Sequence, residues 1–244
     1  MKPLSILTTF TASWGFSVKD LGTTAYQPSF ILPPPTTAIG ALTSGVARAL
    51  GKLYEDNKLL DVINKATLYA GFSVEGAIAQ HVDISRYIIR VYMRPTNRKL
   101  PQYQFGAVPV GKTYVYGRLK MLVALDPSKL TLEVRQVLSK APYYITRIGM
   151  KEGIVAVDEV KVGEAEEREV FDSSFYQRVD CVEVVGEGFL TVSYWKGGFI
   201  KEAEERAAYI IPGIKGGYFT STRLKFKAKK KGYVFEGEGF ATCE

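Results

Sequence analysis

The sequence predicts an α+β fold, a ferredoxin-like (RRM-like) βαββαβ core followed by a β-rich C-terminal part. Three observations carry this expectation. Over residues 5–13 apolar side chains alternate with threonine and serine, the period of a half-buried strand. Ile39, Leu42, Val46, Leu50 and Leu53 recur at helical spacing. Beyond residue 164, short β-branched and aromatic runs are separated by glycine, as in a series of short strands.

In chain order, the first strand is expected over 5–13. A stiff entry follows, because Pro33, Pro34 and Pro35 each hold φ near about −65° and push the residue before them into extended geometry. Thr36 is then placed to cap a helix over 36–54. One face of that helix is nearly bare, carrying Gly40, Ser44, Ala47 and Gly51. A glycine inside a helix costs roughly 0.5–1 kcal/mol relative to alanine, so the face is expected to pack closely on a sheet. A functional alternative is that open amides at the helix start hold a phosphate, with Thr36 and Thr37 as the possible anion site. Strands follow at 67–74 and 115–125, the second ending in the apolar run Met121-Leu-Val-Ala-Leu125 that suits a central position. A second helix is expected over 127–140 and a closing strand over 154–162. The C-terminal strands are placed at 182–185, 189–195, 208–211 and 233–240. Residues 1–163 thus form one expected domain, with an excursion at about 86–120, and 164–244 a β-rich subdomain.

Composition narrows the function. The 244 residues carry 46% hydrophobic side chains, enough for a sizeable core. No apolar run approaches the roughly 18–20 residues that cross a membrane, and no membrane partner is expected. The start resembles a signal peptide briefly, but Thr8, Thr9, Thr11 and Ser13 interrupt it, so a strand is expected and export is not. Cys181 and Cys243 lack CxxC spacing and the chain has a single histidine. Neither a disulfide framework nor a zinc site is supported, no cofactor or metal is expected, and a cytoplasmic protein is inferred. Asparagine and glutamine total nine while Lys, Glu and Arg are plentiful, a hint of a thermophilic source.

The net charge of +7 is segregated. Between residues 80 and 120 stand eight bases and one acid, Asp83, and that local excess equals the excess of the whole chain. Read as a strand, 86–94 presents Arg86, Arg90, Tyr92 and Arg94 on one face; residues 112–120 likewise present Lys112, Tyr114, Tyr116, Arg118 and Lys120. The long connection between them adds Arg98, Lys99 and Tyr103, and ordered loops of that length are uncommon unless functional. Cations for phosphates with tyrosines for unpaired bases is the chemistry of single-stranded RNA binding. A solvated strand face with cross-strand aromatic pairs is the alternative. Arg147 and Lys151, on a glycine-flanked turn, are further candidate contacts or an ordinary surface turn. Catalysis has little support, since one histidine excludes any His pair or His-metal cluster. His81 could serve as general base only in a metal-independent RNA cleavage through the 2′-hydroxyl.

Four segments carry a family resemblance: Trp14-Gly-Phe-Ser-Val18; Leu32-Pro-Pro-Pro-Thr-Thr-x-Ile-Gly-Ala-Leu42; Gly106-x-Val-Pro-x-Gly-Lys-x-Tyr-Val115; and Ile145-Thr-Arg-Ile-Gly-x-Lys-Glu152. Together they resemble the CRISPR-associated Cas-five family of RAMP proteins, most closely its archaeal type I-A branch. The resemblance covers about the first two-thirds of the chain. It implies an RRM-like RAMP domain with a protruding β-hairpin thumb at about 86–120, and a subunit that caps one end of a Cascade complex in antiviral defence. It further implies a grip on the 5′ handle of the CRISPR RNA, a thumb packed on the adjacent Cas-seven backbone subunit, and contact with the large Cascade subunit. Some type I-C relatives are themselves ribonucleases that process the precursor RNA; in type I-A a separate Cas-six enzyme does so. No catalytic set aligns here, so a non-enzymatic role is expected.

Overall fold

A computed structural model of the chain describes residues 2–19, 28–52, 57–89, 104–195, 206–215, 218–220 and 222–243, with side chains left undescribed at 57, 85–89, 104–108, 195, 214–215 and 218. The architecture is α+β, rich in sheet and with few helices. Its centre is a seven-stranded sheet. β1 (Leu4–Ala12) lies between β4 (Gln104–Leu125) and β5 (Val155–Glu164); β3 (Thr67–Ile89) flanks β4, and the short β2 (Gly15–Phe16) also pairs with β4. Strands Tyr218–Thr220 and Ile214–Lys215 extend the sheet beyond β3. Every pairing is antiparallel, with Leu7 opposite Leu122 and Gly71 opposite Leu122 fixing which residues share a face.

The strand expected over 5–13 is present as Leu4–Ala12, but residues 5–10 are buried on both faces instead of alternating between core and solvent. Ile6, Thr8 and Phe10 point inward and are fully buried, where they join Phe72, Val74, Leu119, Met121 and Val123 against the helices. α1 (Pro35–Ala49) supplies Ile39, Leu42 and Val46, and α2 (Asn57–Ala66) supplies Ile63 and Ala66. The opposite face is covered only at its base, where Leu7, Tyr69, Leu122 and Ala124 meet Tyr233, Phe235 and Phe240.

Several sequence expectations are corrected. The first helix ends at Ala49, and α2 is a separate helix. Thr36 is not its cap: Pro34 is the N-cap residue, with no side-chain hydrogen bond, and Thr36 and Thr37 lie in the first turn. The bare face of α1 does not pack on a sheet. The close glycine contact of the helix is off that face, at the buried Gly45, where a Cβ would run into the Ala141 carbonyl oxygen of the 3-10 turn Ala141–Tyr144. The helix expected over 127–140 is broken. Asp126 accepts from the Ser128 amide to start a 3-10 turn, Leu130 is extended, and only α3 (Leu132–Val137) is α-helical. The strands at 67–74 and 115–125 are the inner ends of one long ribbon. It continues through Gly76 and Gly117, which face each other with φ of +128° and +123°, a conformation glycine tolerates and other residues rarely adopt. The strand expected at 233–240 is a hairpin, Lys231–Phe235 with Glu238–Thr242. Cys181 and Cys243, 62 residues apart, form a disulfide, with Cα atoms 4.8 Å apart. The expectation of no disulfide framework is thereby overturned, because the fold brings together cysteines whose spacing carries no signal.

The C-terminal strands share the inner core. Tyr176, Tyr194 and Tyr209 contact one another with ring centroids 5.3–5.5 Å apart. Two of them reach the proline entry: Tyr194 Oη donates to the Leu32 carbonyl at 2.9 Å and Tyr176 Oη to the Pro33 carbonyl at 3.0 Å. Burial raises the phenol pKa of Tyr69, Tyr176 and Tyr194, and pushes Tyr209 up to about 12. These groups stay protonated in the folded state after they have ionised in the unfolded chain at about pH 10. The folded state then binds more protons, so stability is intact below pH 10 and falls as pH rises through that window. Denaturant midpoints should hold level from pH 8 to about 10 and fall from there to pH 12, and Tyr209→Phe should make the decline shallower. An unchanged decline in that variant would place the alkaline sensitivity elsewhere.

Candidate nucleic-acid interface

The segments at 14–18, 29–37, 109–115 and 145–152 converge on one corner. Ser17 Oγ donates to the Gly111 carbonyl at 2.8 Å, and Thr113 Oγ1 to the Phe30 carbonyl at 2.8 Å. The Phe30 amide donates to the Val18 carbonyl, and the Met150 amide to the Ser17 carbonyl at 3.1 Å. Trp14 Nε1 donates to the Glu152 carbonyl at 2.8 Å, and Gln80 Nε2 to the Ser29 carbonyl at 2.8 Å. Gly111 is required by this convergence: a Cβ there would enter the backbone of Pro28 and Ser29.

On the helix side of the corner lies a groove of about 280 Å³. Thr36, Thr37, Gly40, Ala41, Ser44 and Arg48 form one wall, and Ile145, Thr146, Arg147 and Gly149 the other. Arg48 Nη1 is held by the Tyr144 carbonyl at 2.8 Å and donates to Thr146 Oγ1 at 2.9 Å. The groove thus unites the possible anion site, Thr36 and Thr37, with Arg147, over a hundred residues away. Two guanidiniums, three threonine hydroxyls and one serine hydroxyl line it with no carboxylate among them, a chemistry suited to phosphate. Lys151 is outside the lining, exposed and 3.9 Å from Glu152.

On the open half of the outer sheet face stand Lys112, Tyr114, Tyr116, Arg118 and Lys120, as the alternation of β4 requires, while Thr113, Val115 and Leu119 are buried on the other. Each described cation of this face has an acid. Lys112 pairs with Asp83, which lowers the Asp83 pKa and raises that of Lys112, chiefly through their hydrogen bond. Arg118 is 3.9 Å from Asp158 and Lys120 is 3.3 Å from Glu75. The face is therefore far closer to neutral than a count along residues 80–120 implies. Trp14 packs on Tyr114 with centroids 5.5 Å apart, Lys112 Nζ lies 5.4 Å from the Trp14 ring centroid, and the exposed His81 is 6.2 Å from the Tyr114 ring. Arg86 is on β3 opposite Ala107; its side chain, and the whole of Arg90, Tyr92, Arg94, Arg98, Lys99 and Tyr103, lie outside the described residues. Among the described residues no cluster of three His, Cys, Asp or Glu could hold a metal, and no helix is long and apolar enough to cross a membrane.

A chain from Saccharolobus solfataricus, "CRISPR system aCascade subunit Cas5 1", is 36% identical over 210 residues, covering 82% of this chain and 83% of its own length. This chain belongs to the CRISPR-associated Cas5 family. A second member from the same organism, "CRISPR-associated protein Cas5 3", is 35% identical over 208 residues, with the same coverage. A CRISPR protein from Archaeoglobus fulgidus has a similar crystal structure, with a TM-score of 0.63 at 18% identity and 98% of both chains covered. No protein-family model matches the chain. The family resemblance is thus borne out, and in this Cas5-family chain parts of its four segments, with Ser29 and Phe30 just before the second, meet at the corner. Sequence reading did not single out Arg48 as part of the groove or Trp14 as a ring partner of Tyr114. It also overlooked Glu75 and Asp158 as partners for the cations. Arg48 stands four residues after Ser44 on the bare face, so helical spacing could have found it; Asp158 is 40 positions from Arg118 and only the pairing of strands brings it near.

Proposed function

We propose that this Cas5-family chain is a non-catalytic, RNA-binding subunit of a cytoplasmic type I-A Cascade complex, holding the 5′ handle of the CRISPR RNA and capping the Cas-seven backbone beside the large subunit. The observation that carries the reading is the 36% identity to a relative named as an aCascade subunit. The strand order β3–β4–β1–β5 with helices on one face supports a ferredoxin-like RAMP domain, and the far end of the β3–β4 ribbon is the candidate thumb. In this reading the groove takes backbone phosphate through Arg48, Arg147 and the threonine hydroxyls. Arg86, Arg90, Arg94, Arg98 and Lys99 supply further cations, and Lys112, Arg118 and Lys151 lie at the margins. Tyr92, Tyr103, Tyr114 and Tyr116 face bases. The disulfide is compatible with a cytoplasmic site if the source is a hyperthermophile, where intracellular disulfides are common.

Alanine at Arg90 and Arg94 should weaken binding of handle RNA and flatten its salt dependence, log K losing about 0.7 of slope for each single-strand phosphate contact removed. Titrations at several salt concentrations check this, and an unchanged slope would remove those residues from the interface. The alternative, a metal-independent ribonuclease, is tested by incubating the protein with repeat RNA in EDTA. Intact RNA is expected; cleavage abolished by His81→Ala would overturn the non-catalytic reading.

A further inference from the structure

We infer that Trp14, Tyr114 and Tyr116 form a base-stacking ledge on the open half of the outer sheet face, whose ligand is the unpaired nucleobases of single-stranded RNA. This rests on the RNA-binding reading above and divides the labour within it: phosphate at the groove, bases at the ledge. Three features of the face point this way.

The β3 neighbours of Tyr114 and Tyr116 are Ala79 and Ala77, so β3 offers the rings no large side chain directly opposite, and Tyr114 is met from the side by Trp14. Tyr116 is accordingly 62% exposed, unusual for an aromatic on a central strand. Along β4 the Cα atoms of the two tyrosines lie about 7 Å apart, a spacing that leaves room for a splayed-out base beside each. At one end the ledge is fixed. The Trp14 indole is pinned by its bond to the Glu152 carbonyl and tilts 59° against Tyr114. Lys112 is held over that indole by its pair with Asp83. Preset aromatic surfaces of this kind bind bases with little loss of side-chain freedom, and stacking tolerates any sequence because every base has a π-face.

The charges decide the occupant. Lys112, Arg118 and Lys120 are each matched by a carboxylate, so phosphate neutralisation is a poor use of this face and an uncharged, flat, polar-edged partner is a good one. A nucleobase fits.

The test separates stacking from charge. Binding of a labelled, unstructured single-stranded RNA is measured across a range of salt for the full-length chain and for Trp14→Ala, Tyr116→Ala, Tyr116→Phe and Arg147→Ala. The ledge requires that Trp14→Ala and Tyr116→Ala each weaken binding by about tenfold at every salt concentration, leaving the slope of log K unchanged, and that Tyr116→Phe binds as the parent does. Arg147→Ala should instead flatten the slope. Quenching of Trp14 fluorescence on RNA addition, taken as the difference between parent and Trp14→Phe, should accompany binding and diminish when the RNA carries abasic positions. Parental affinity in Tyr116→Ala, with melting temperature unchanged, overturns the ledge and leaves the RNA reading intact. Failure of the parent chain to bind any single-stranded RNA overturns the RNA reading itself.

Discussion

Alanine at Gly111 should destabilise the protein by about 3 kcal/mol, the upper part of the range for overpacking a closed site. The residue is buried where the segment at 28–30 crosses β4, and an added methyl would meet the Ser29 amide nitrogen and the Pro28 backbone. Backbone cannot swing aside as a side chain can, so the crossing itself must shift. With it would go the bonds from Ser17 to Gly111 and from Thr113 to Phe30, and the helix start just downstream. Denaturant melts of Gly111→Ala check the stability, with Gly51→Ala as reference. At Gly51 a Cβ meets nothing within 4 Å and only the φ of +66° is unfavourable, which costs about 1–2 kcal/mol. Equal losses in the two variants would mean that crowding at the crossing is unimportant. A larger loss at Gly111, together with weakened RNA binding, is the expected pattern.

Reduction of the disulfide, or Cys243→Ser, should lower stability by about 2–4 kcal/mol, with each kcal/mol worth about 2–4 °C of melting temperature in a chain of this size. The bond spans 62 residues, so its absence releases a large loop in the unfolded chain. It also ties the last strand, Glu238–Thr242, to the segment before Val182, both of which bury residues in one small core with Phe171, Leu224 and Phe226. Melts with and without reductant decide the matter, Cys243→Ser being insensitive to reductant by design. A parent protein whose melting temperature ignores reductant would show that the bond contributes nothing.

Periodicity made much of the frame legible. The strands at Val182–Val185 and Phe189–Trp195 have the expected bounds, because glycine punctuates them and their interiors are β-branched or aromatic. α2 escaped notice since it passes from Ala66 straight into β3 at Thr67, with no glycine or proline to mark the change. The hairpin ending at Thr242 was read as one strand because its turn uses Glu236 and Gly237 at φ of 49° and 77°, a conformation for which glutamate gives no advance signal. For the candidate site, local alternation placed Lys112, Tyr114, Tyr116 and Arg118 on one face, and motif reading joined the four segments. Charge pairing was the part that could not be read, for Glu75 and Asp158 reach their cations only across strands, through a register that no window of sequence contains.

The tyrosine bonds to the proline entry bear on how the molecule is made. Synthesis delivers residues 14–152, with every segment of the corner, long before Tyr176 and Tyr194, which hold the Leu32 and Pro33 carbonyls. The outer face of β1 and β4 stays bare at its base still longer, until Phe235 and Phe240 arrive. A nascent chain halted between these points carries a nearly complete corner on an unfinished core, with apolar sheet exposed to other chains. The order of translation therefore makes the late C-terminal strands the step that commits the newly made protein to its folded form, and a pause after the closing strand of the sheet the interval in which a chaperone has most to protect.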